Sequence, residues 1–189
     1  SPQVNTNYTV SYSLAGCVSP TISATITVNP VPQITLAGQT ICAGNSVTLT
    51  ASPSIFGGTY LWTNPNSTAQ SVTVSPSLST AYQVQYTLNG CSNVANATVT
   101  VNPSPGITGS AVNHYICEGS QVQLQAQGNP LNGTFSWTGV NSFSSSSQNP
   151  TISNATTAAT GTYTATVTVN GCTSPSSTPL TANVYSIPS

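Results

Sequence analysis

Cys117-Glu-Gly-Ser-Gln-Val122-Gln-Leu-Gln-Ala126, Phe135-Ser-Trp137 and Gly161-Thr-Tyr163-Thr-Ala-Thr-Val-Thr-Val169-Asn-Gly-Cys172 make one frame, and the rest of the chain repeats it. Upstream the same frame reads Cys42, Gly44, Val47-Thr-Leu49-Thr-Ala51, Tyr60-Leu-Trp62 and Tyr82-Gln-Val-Gln-Tyr-Thr-Leu88-Asn-Gly90-Cys91. Cys to Trp is 20 residues in both copies, and Tyr to Cys is 9 in both. Residues 1–30 carry only the second half, with Tyr8, Val10, Tyr12, Leu14, Gly16 and Cys17 in the same register. An internal period of this length marks an array of similar units. The expected units are a half-repeat over 1–30, a full repeat over 31–103 and another over 104–189, joined at Asn29-Pro30 with Pro32 and at Asn102-Pro103 with Pro105. Proline fixes φ and favours extended backbone, so these junctions read as short and stiff. A frame entered halfway also implies a piece of a longer array, with any secretion signal outside it.

Within each unit apolar and polar residues alternate, as in Val122-Gln-Leu-Gln-Ala126 and Tyr82-Gln-Val-Gln-Tyr86, which is the period of a strand with one buried face. Thr and Val dominate and no stretch has helical period, so the fold class is all-β. About seven short strands per unit, a Trp on the third (Trp62, Trp137) and a Tyr opening the sixth (Tyr82, Tyr163) define tandem immunoglobulin-like β-sandwiches. Trp62, Trp137, Tyr82 and Tyr163 are the expected core, and Gly161-Thr-Tyr163 is the expected tyrosine corner. The first strand of the middle unit is read as Ile34 and Leu36 continuing through Ile41 and Ala43. The run Ser142-Phe143-Ser-Ser-Ser-Ser-Gln148 reads as a loop insertion.

The chain has no Lys or Arg, a single acidic residue, Glu118, and a single histidine, His114. It cannot build a basic patch, so nucleic acid and anionic-lipid binding are not expected, and with no apolar run approaching the roughly 18 residues of a membrane span, membrane insertion is not expected either. A net charge near zero removes the repulsion that keeps copies apart, which makes self-association into a filament an expected partner mode beside the neighbouring repeats. Catalysis needs a titrating group near the working pH. Only His114 and Glu118 offer one, and they read as exposed polar residues, so no enzyme, catalytic residue, metal site or cofactor is expected.

Five cysteines at repeated positions, without a CxxC pair, point to disulfides and an extracellular compartment. Each unit sets one before its second strand and one after its sixth. In a sandwich those two strands run the same way, so about eight residues at about 3.3 Å each separate the sulfurs by roughly 26 Å. A disulfide tolerates Cα atoms only about 4.4 to 6.8 Å apart. The favoured pairing is therefore Cys42 to Cys172 between units, with Cys17, Cys91 and Cys117 paired outside this sequence; the alternative is Cys42 to Cys91 and Cys117 to Cys172 within units.

Period 2 puts Tyr8, Tyr12, Tyr82, Tyr86 and Tyr163 on the inward face. Phe56 and Phe143, among Gly and Ser, read as the exposed aromatics a ligand would use. Asn7, Asn66, Asn96, Asn132 and Asn154 each open an Asn-x-Ser/Thr sequon, the acceptor pattern for N-glycans, and abundant Ser and Thr offer sites for O-glycans, so a glycan is a candidate partner.

The stretches Ile116-Cys-Glu-Gly-Ser-Gln-Val122, Ser147-Gln-Asn-Pro-Thr-Ile-Ser-Asn154 and Asn170-Gly-Cys-Thr-Ser-Pro175 resemble the Ig-like (PKD-like) tandem repeats of very large secreted surface adhesins of Bacteroidota-type bacteria, gliding-motility repeat proteins among them. The similarity runs the length of the chain, though the middle unit departs from it over Pro53 to Gly58 and Asn64 to Ala69. It implies an extracellular, cell-surface protein in which such repeats act as spacers or binders. Two functions are expected from this: a stalk or filament segment stacked head to tail and stapled by disulfides, or a carbohydrate- or surface-binding module. A viral or phage surface decoration would read the same way.

Overall fold

The structure is a computed structural model that describes residues 1–111 and 115–188. His114 lies outside the described residues. Alternation of Thr, Val and Tyr produces strands throughout, and among the described residues the helical exceptions are two single 3₁₀ turns, Val140–Ser142 and Thr157–Ala159. The chain divides into two compact units: residues 1–39, 47–74 and 81–99 form one, and 40–46, 75–80 and 100–189 the other.

Residues 1–30 hold β1 (Thr6–Val10), β2 (Ser13–Leu14), β3 (Cys17–Val18) and β4 (Ile22–Ile26). β1 pairs with β4 in antiparallel register, Tyr8 opposite Ala24 and Val10 opposite Ile22. Directly opposite residues share a face, so Tyr8, Val10, Ile22 and Ala24 line one apolar surface. Tyr8 is 50% exposed and Ile22 71%. The inward pattern of Tyr8 and Tyr12 is therefore present in the sequence without burial in the structure: no second sheet covers this pair of strands among the described residues.

The middle repeat forms β5 (Ile34–Leu36), β6 (Gln39–Cys42), β7 (Val47–Pro53), β8 (Thr59–Thr63), β9 (Asn66–Ser67), β10 (Ser71–Val74), β11 (Thr80–Leu88) and β12 (Cys91–Asn102). One sheet has the order β10-β7-β5 and the other β6-β12-β11-β8-β9. The continuous first strand expected from Ile34 to Ala43 is corrected to two, β5 in one sheet and β6 in the other. Gly38 sits where the chain changes sheet, and a Cβ there would stand 3.0 Å from the Thr98 carbonyl oxygen, tighter than a side chain ordinarily tolerates. Leu49, Ala51, Trp62, Val72, Tyr82, Val84, Tyr86 and Val99 fill the core.

The third repeat forms β13 (Gly106–Ala111), β14 (Tyr115–Cys117), β15 (Val122–Asn129), β16 (Thr134–Gly139), β17 (Ser144–Ser145), β18 (Thr151–Ile152), β19 (Gly161–Val169), β20 (Cys172–Thr173) and β21 (Leu180–Tyr185). Its sheets run β13-β15-β18 and β14-β21-β19-β16-β17, with β20 paired to β19. β14 and β21 are parallel, Cys117 opposite Tyr185, while the other registered pairs are antiparallel. Trp137 and Tyr163 lie at the centre with Val122, Leu124, Val167 and Ala182. Fully burying a side chain of this size is worth about 1.5 to 3 kcal/mol, so a dozen of them outweigh what any surface contact supplies.

Both indoles keep their polar atom satisfied: Trp62 Nε1 donates to the Ala69 carbonyl at 2.8 Å, and Trp137 Nε1 to the Gln148 carbonyl at 3.2 Å. The tyrosine corner is present in the third repeat, where Tyr163 Oη donates to the Ala159 carbonyl at 2.7 Å. In the middle repeat Tyr86 bonds through its hydroxyl, giving its proton to the Ile55 carbonyl and accepting the Gly58 N–H, each at 2.8 Å. The middle and third repeats are immunoglobulin-like sandwiches, and residues 1–30 form the strand pairs β1-β4 and β2-β3.

Candidate functional site

Each repeat ends a short strand in cysteine and turns at once through a glycine. After Cys42, Gly44 takes φ of 88°, and the Asn45 N–H reaches back to the Cys42 carbonyl at 3.0 Å. After Cys117, Gly119 takes φ of 83°, and the Ser120 N–H reaches the Cys117 carbonyl at 3.2 Å. A side chain with a Cβ is disfavoured at such φ, which accounts for the glycine two residues beyond each cysteine. Neighbouring backbone bonds match as well: Ala43 N–H to the Asn102 carbonyl and Glu118 N–H to the Tyr185 carbonyl, both 2.9 Å. The two cysteines are thus presented in the same way.

The other cysteine of each repeat follows a two-residue hairpin turn with both φ positive: Ala15 and Gly16 before Cys17, Asn89 and Gly90 before Cys91, Asn170 and Gly171 before Cys172. Asn-Gly is the favoured pair for that turn, because asparagine tolerates the left-handed region and glycine is unstrained there.

Within the second compact unit the two kinds of cysteine meet. Cys42 and Cys172 form a disulfide with Cα atoms 5.6 Å apart, closing a sequence separation of 130. Cys17, Cys91 and Cys117 are free thiols, so the alternative pairing, Cys42 to Cys91 with Cys117 to Cys172, is absent. Beside the bond Asn102 Nδ2 donates to the Asn170 carbonyl at 3.1 Å. A groove of about 300 Å³ runs along this junction past Thr40, Asn45 and Ser46. In the chain-entropy account, closing a loop of this length stabilises the folded state by about 4 to 5 kcal/mol.

The first compact unit repeats half of that arrangement. Asn29 Nδ2 donates to the Asn89 carbonyl at 3.1 Å, and Cys91 Sγ lies 3.6 Å from the Asn29 carbonyl. Here the asparagine clamp and the hairpin cysteine are present without a Cys42 counterpart, since residues 1–30 contain no cysteine other than Cys17.

The remaining expected residues are placed as follows. Trp62, Trp137 and Tyr163 are at most 1% exposed and Tyr82 is 5% exposed. Phe56 projects to solvent from the loop that Tyr86 anchors. Phe143 is corrected from an exposed ligand aromatic to a packed one: its ring meets Tyr163 edge-on, centroids 5.4 Å apart, because β17 folds the serine run back against β16. Burial holds the Tyr163 phenol above the usual tyrosine range. Asn7, Asn66, Asn96, Asn132 and Asn154 are all exposed. Glu118, expected as an exposed polar residue, is half-buried and accepts the Thr157 N–H at 3.0 Å, holding the start of the second 3₁₀ turn. Among the described residues no three His, Cys, Asp or Glu side chains come together in a metal-binding group.

Comparison with solved structures agrees with the fold. Extracellular domains 3–5 of Drosophila OTK align with a TM-score of 0.52 at 13% identity, covering 96% of this chain and 71% of that one. The titin I-band fragment I67–I69 aligns with a TM-score of 0.51 at 12% identity, covering 84% and 67%. At such identities the likeness is one of fold: tandem immunoglobulin-like domains. No protein-family model matches the chain, and no curated protein matches it.

Proposed function

We propose that this chain is a tension-bearing segment of a secreted, cell-surface repeat protein, a stalk or filament of the adhesin type that its sequence resembles. It acts by holding shape, and its partners are neighbouring repeats. The observation that carries this reading is the Cys42–Cys172 bond, which joins two frames of the array where the backbone already joins them once. A bond that spans so much sequence adds a second covalent path, and force applied to the ends bypasses everything between the sulfurs. Persistence of such a bond calls for an oxidising compartment, in keeping with an extracellular site. The faces carry Ser and Thr in place of charge, and the absence of Lys and Arg leaves trypsin-like proteases nothing to cut.

Pulling the oxidised chain by its termini tests the reading. At about 3.3 to 3.6 Å per extended residue, the loop of 130 locked by the bond hides roughly 430 to 470 Å of contour length. The oxidised chain is expected to stop short by that amount, and a reducing agent to release it. Full extension without reduction would refute a stapled stalk.

A further inference from the structure

The chain carries both halves of a second staple, unjoined. Cys117 is exposed and closes β14 in the same turn that presents Cys42, down to the glycine at positive φ and the matching backbone bonds described above. Cys17 is exposed and sits opposite Leu14 across a two-residue hairpin turn, as Cys172 sits opposite Val169. Cys91 is half-buried, with its Sγ 3.6 Å from the Asn29 carbonyl of its own chain, whereas Cys17 and Cys117 are exposed.

We propose that Cys117 of one copy of this chain bonds to Cys17 of a second copy, reproducing between molecules the junction that Cys42 and Cys172 make within one. This rests on the stalk reading and names its partner: another copy, head to tail. Apolar surface is available on both sides. Tyr115 and Tyr185 stack with centroids 6.3 Å apart beside Cys117, 73% and 55% exposed. Tyr12, Leu14 and Val18 stand exposed on the hairpin of Cys17. With a formal net charge of −1, little electrostatic repulsion opposes the approach. The two contacting surfaces differ, so each contact leaves one Cys17 and one Cys117 unpaired and further copies can add.

Oxidised glutathione serves as the oxidant. The Cys117 thiolate attacks its disulfide, forming a mixed disulfide and displacing one glutathione thiolate. The Cys17 thiolate of the second copy then attacks the Cys117 sulfur and displaces the other. Two protein thiols are oxidised, one glutathione disulfide is reduced to two thiols, and the two protons pass from the protein thiols to the departing thiolates.

The purified chain, oxidised with glutathione disulfide, should give a ladder on non-reducing electrophoresis, with Cys17–Cys117 the dominant interchain bond in peptide mapping. Cys17→Ser and Cys117→Ser should each lose the ladder, and an equimolar mixture of the two should stop at a dimer. Unchanged melting of both variants shows that they fold. A ladder persisting in either variant, or dominance of Cys17–Cys17 or Cys117–Cys117 links, overturns the proposal; so does a wild-type chain that stays monomeric with Cys42–Cys172 formed. None of these outcomes alters the extension length of a single chain, so the stalk reading stands or falls separately.

Discussion

The Asn102 amide lies 3.1 Å from the Asn170 carbonyl, and the Asn29 amide lies 3.1 Å from the Asn89 carbonyl. Each asparagine closes a repeat immediately before a proline, and each accepting carbonyl belongs to the asparagine of an Asn-Gly turn that precedes a cysteine. The clamp exists with a disulfide beside it in one case and with a free thiol in the other. Positioning of the hairpin therefore does not depend on the covalent bond, and the bond is added to a junction that is already set.

Replacing Asn102 with alanine should cost about 1 kcal/mol, the usual net worth of one such bond, and lower the melting temperature by about 2 to 4 °C. After complete reduction, the Cys42–Cys172 bond should re-form more slowly in Asn102→Ala, because the hairpin loses its tether. Thermal denaturation and quenched reoxidation measure both. Reoxidation at the wild-type rate would show that the prolines alone align the junction.

Ser174 and Ser177 stitch the segment after β20 to β19. Their backbone N–H groups donate to the Val167 and Ala165 carbonyls at 2.8 Å, and their hydroxyls accept the Val167 and Ala165 N–H groups at 3.0 Å. Both serines are buried, so removing a hydroxyl leaves a strand N–H without a partner. Ser174→Ala and Ser177→Ala should each cost about 1 to 3 kcal/mol in urea denaturation, whereas alanine at exposed Ser146 should be neutral. A cost below 0.5 kcal/mol at either buried serine would mean that water replaces the hydroxyl.

How far the sequence is legible follows from which physics each residue answers to. Alternation and the Trp and Tyr positions answer to burial, and Trp62, Trp137, Tyr82 and Tyr163 all lie where the pattern puts them. The cysteine geometry follows from strand direction and rise alone, quantities that do not depend on side-chain detail. Phe143 lies in a serine run that looks like a solvated loop, and the short pairing of β16 with β17 that packs it is invisible to periodicity. Ser174 and Ser177 give no periodic signal either, because their hydroxyls act as acceptors for the Val167 and Ala165 N–H groups, a role that a neighbouring strand's carbonyl ordinarily fills. The division of the first strand into β5 and β6 had one available signal, Gly38, whose close approach to Thr98 only the folded chain exhibits. Tyr8 and Tyr12 kept their inward pattern without a covering sheet, since periodicity records which face is apolar and not whether anything packs on it.

Exposure on that face has a direct consequence for proteolysis. Within residues 1–102 chymotrypsin should cut first after Tyr8, Tyr12 and Phe56, which are 50%, 66% and 72% exposed, and last after Tyr82 and Tyr86, which are at most 5% exposed; in the third repeat the exposed Tyr115 and Tyr185 should be cut before Tyr163. The early cuts should release the end of the half-repeat and nick one loop while both tryptophan fluorescence signals persist. Mass spectrometry of a time course checks the order. Early cleavage at Tyr163 would contradict a closed third sandwich.

Tyr163 links stability to alkaline pH. Its phenol is 1% exposed, donates to the Ala159 carbonyl and is held above the ordinary tyrosine value by burial, which favours the neutral form in the folded state. A group with its folded pKa raised contributes stability that is fully present below the unfolded value of about 10 and is lost as pH rises through the folded one. Tyr60 is raised too, by burial first and by the charge of Tyr86 second, and acts in the same direction. Stability should therefore be level from neutral pH to about 9 and fall above 10. Tyr163→Phe should lose about 1 kcal/mol at neutral pH with the hydrogen bond, and its alkaline fall should be shallower, with the part due to Tyr60 remaining. Urea denaturation at a series of pH values measures both slopes. An alkaline fall as steep in Tyr163→Phe as in the wild type would place the sensitivity on Tyr60 and leave the corner a purely structural bond.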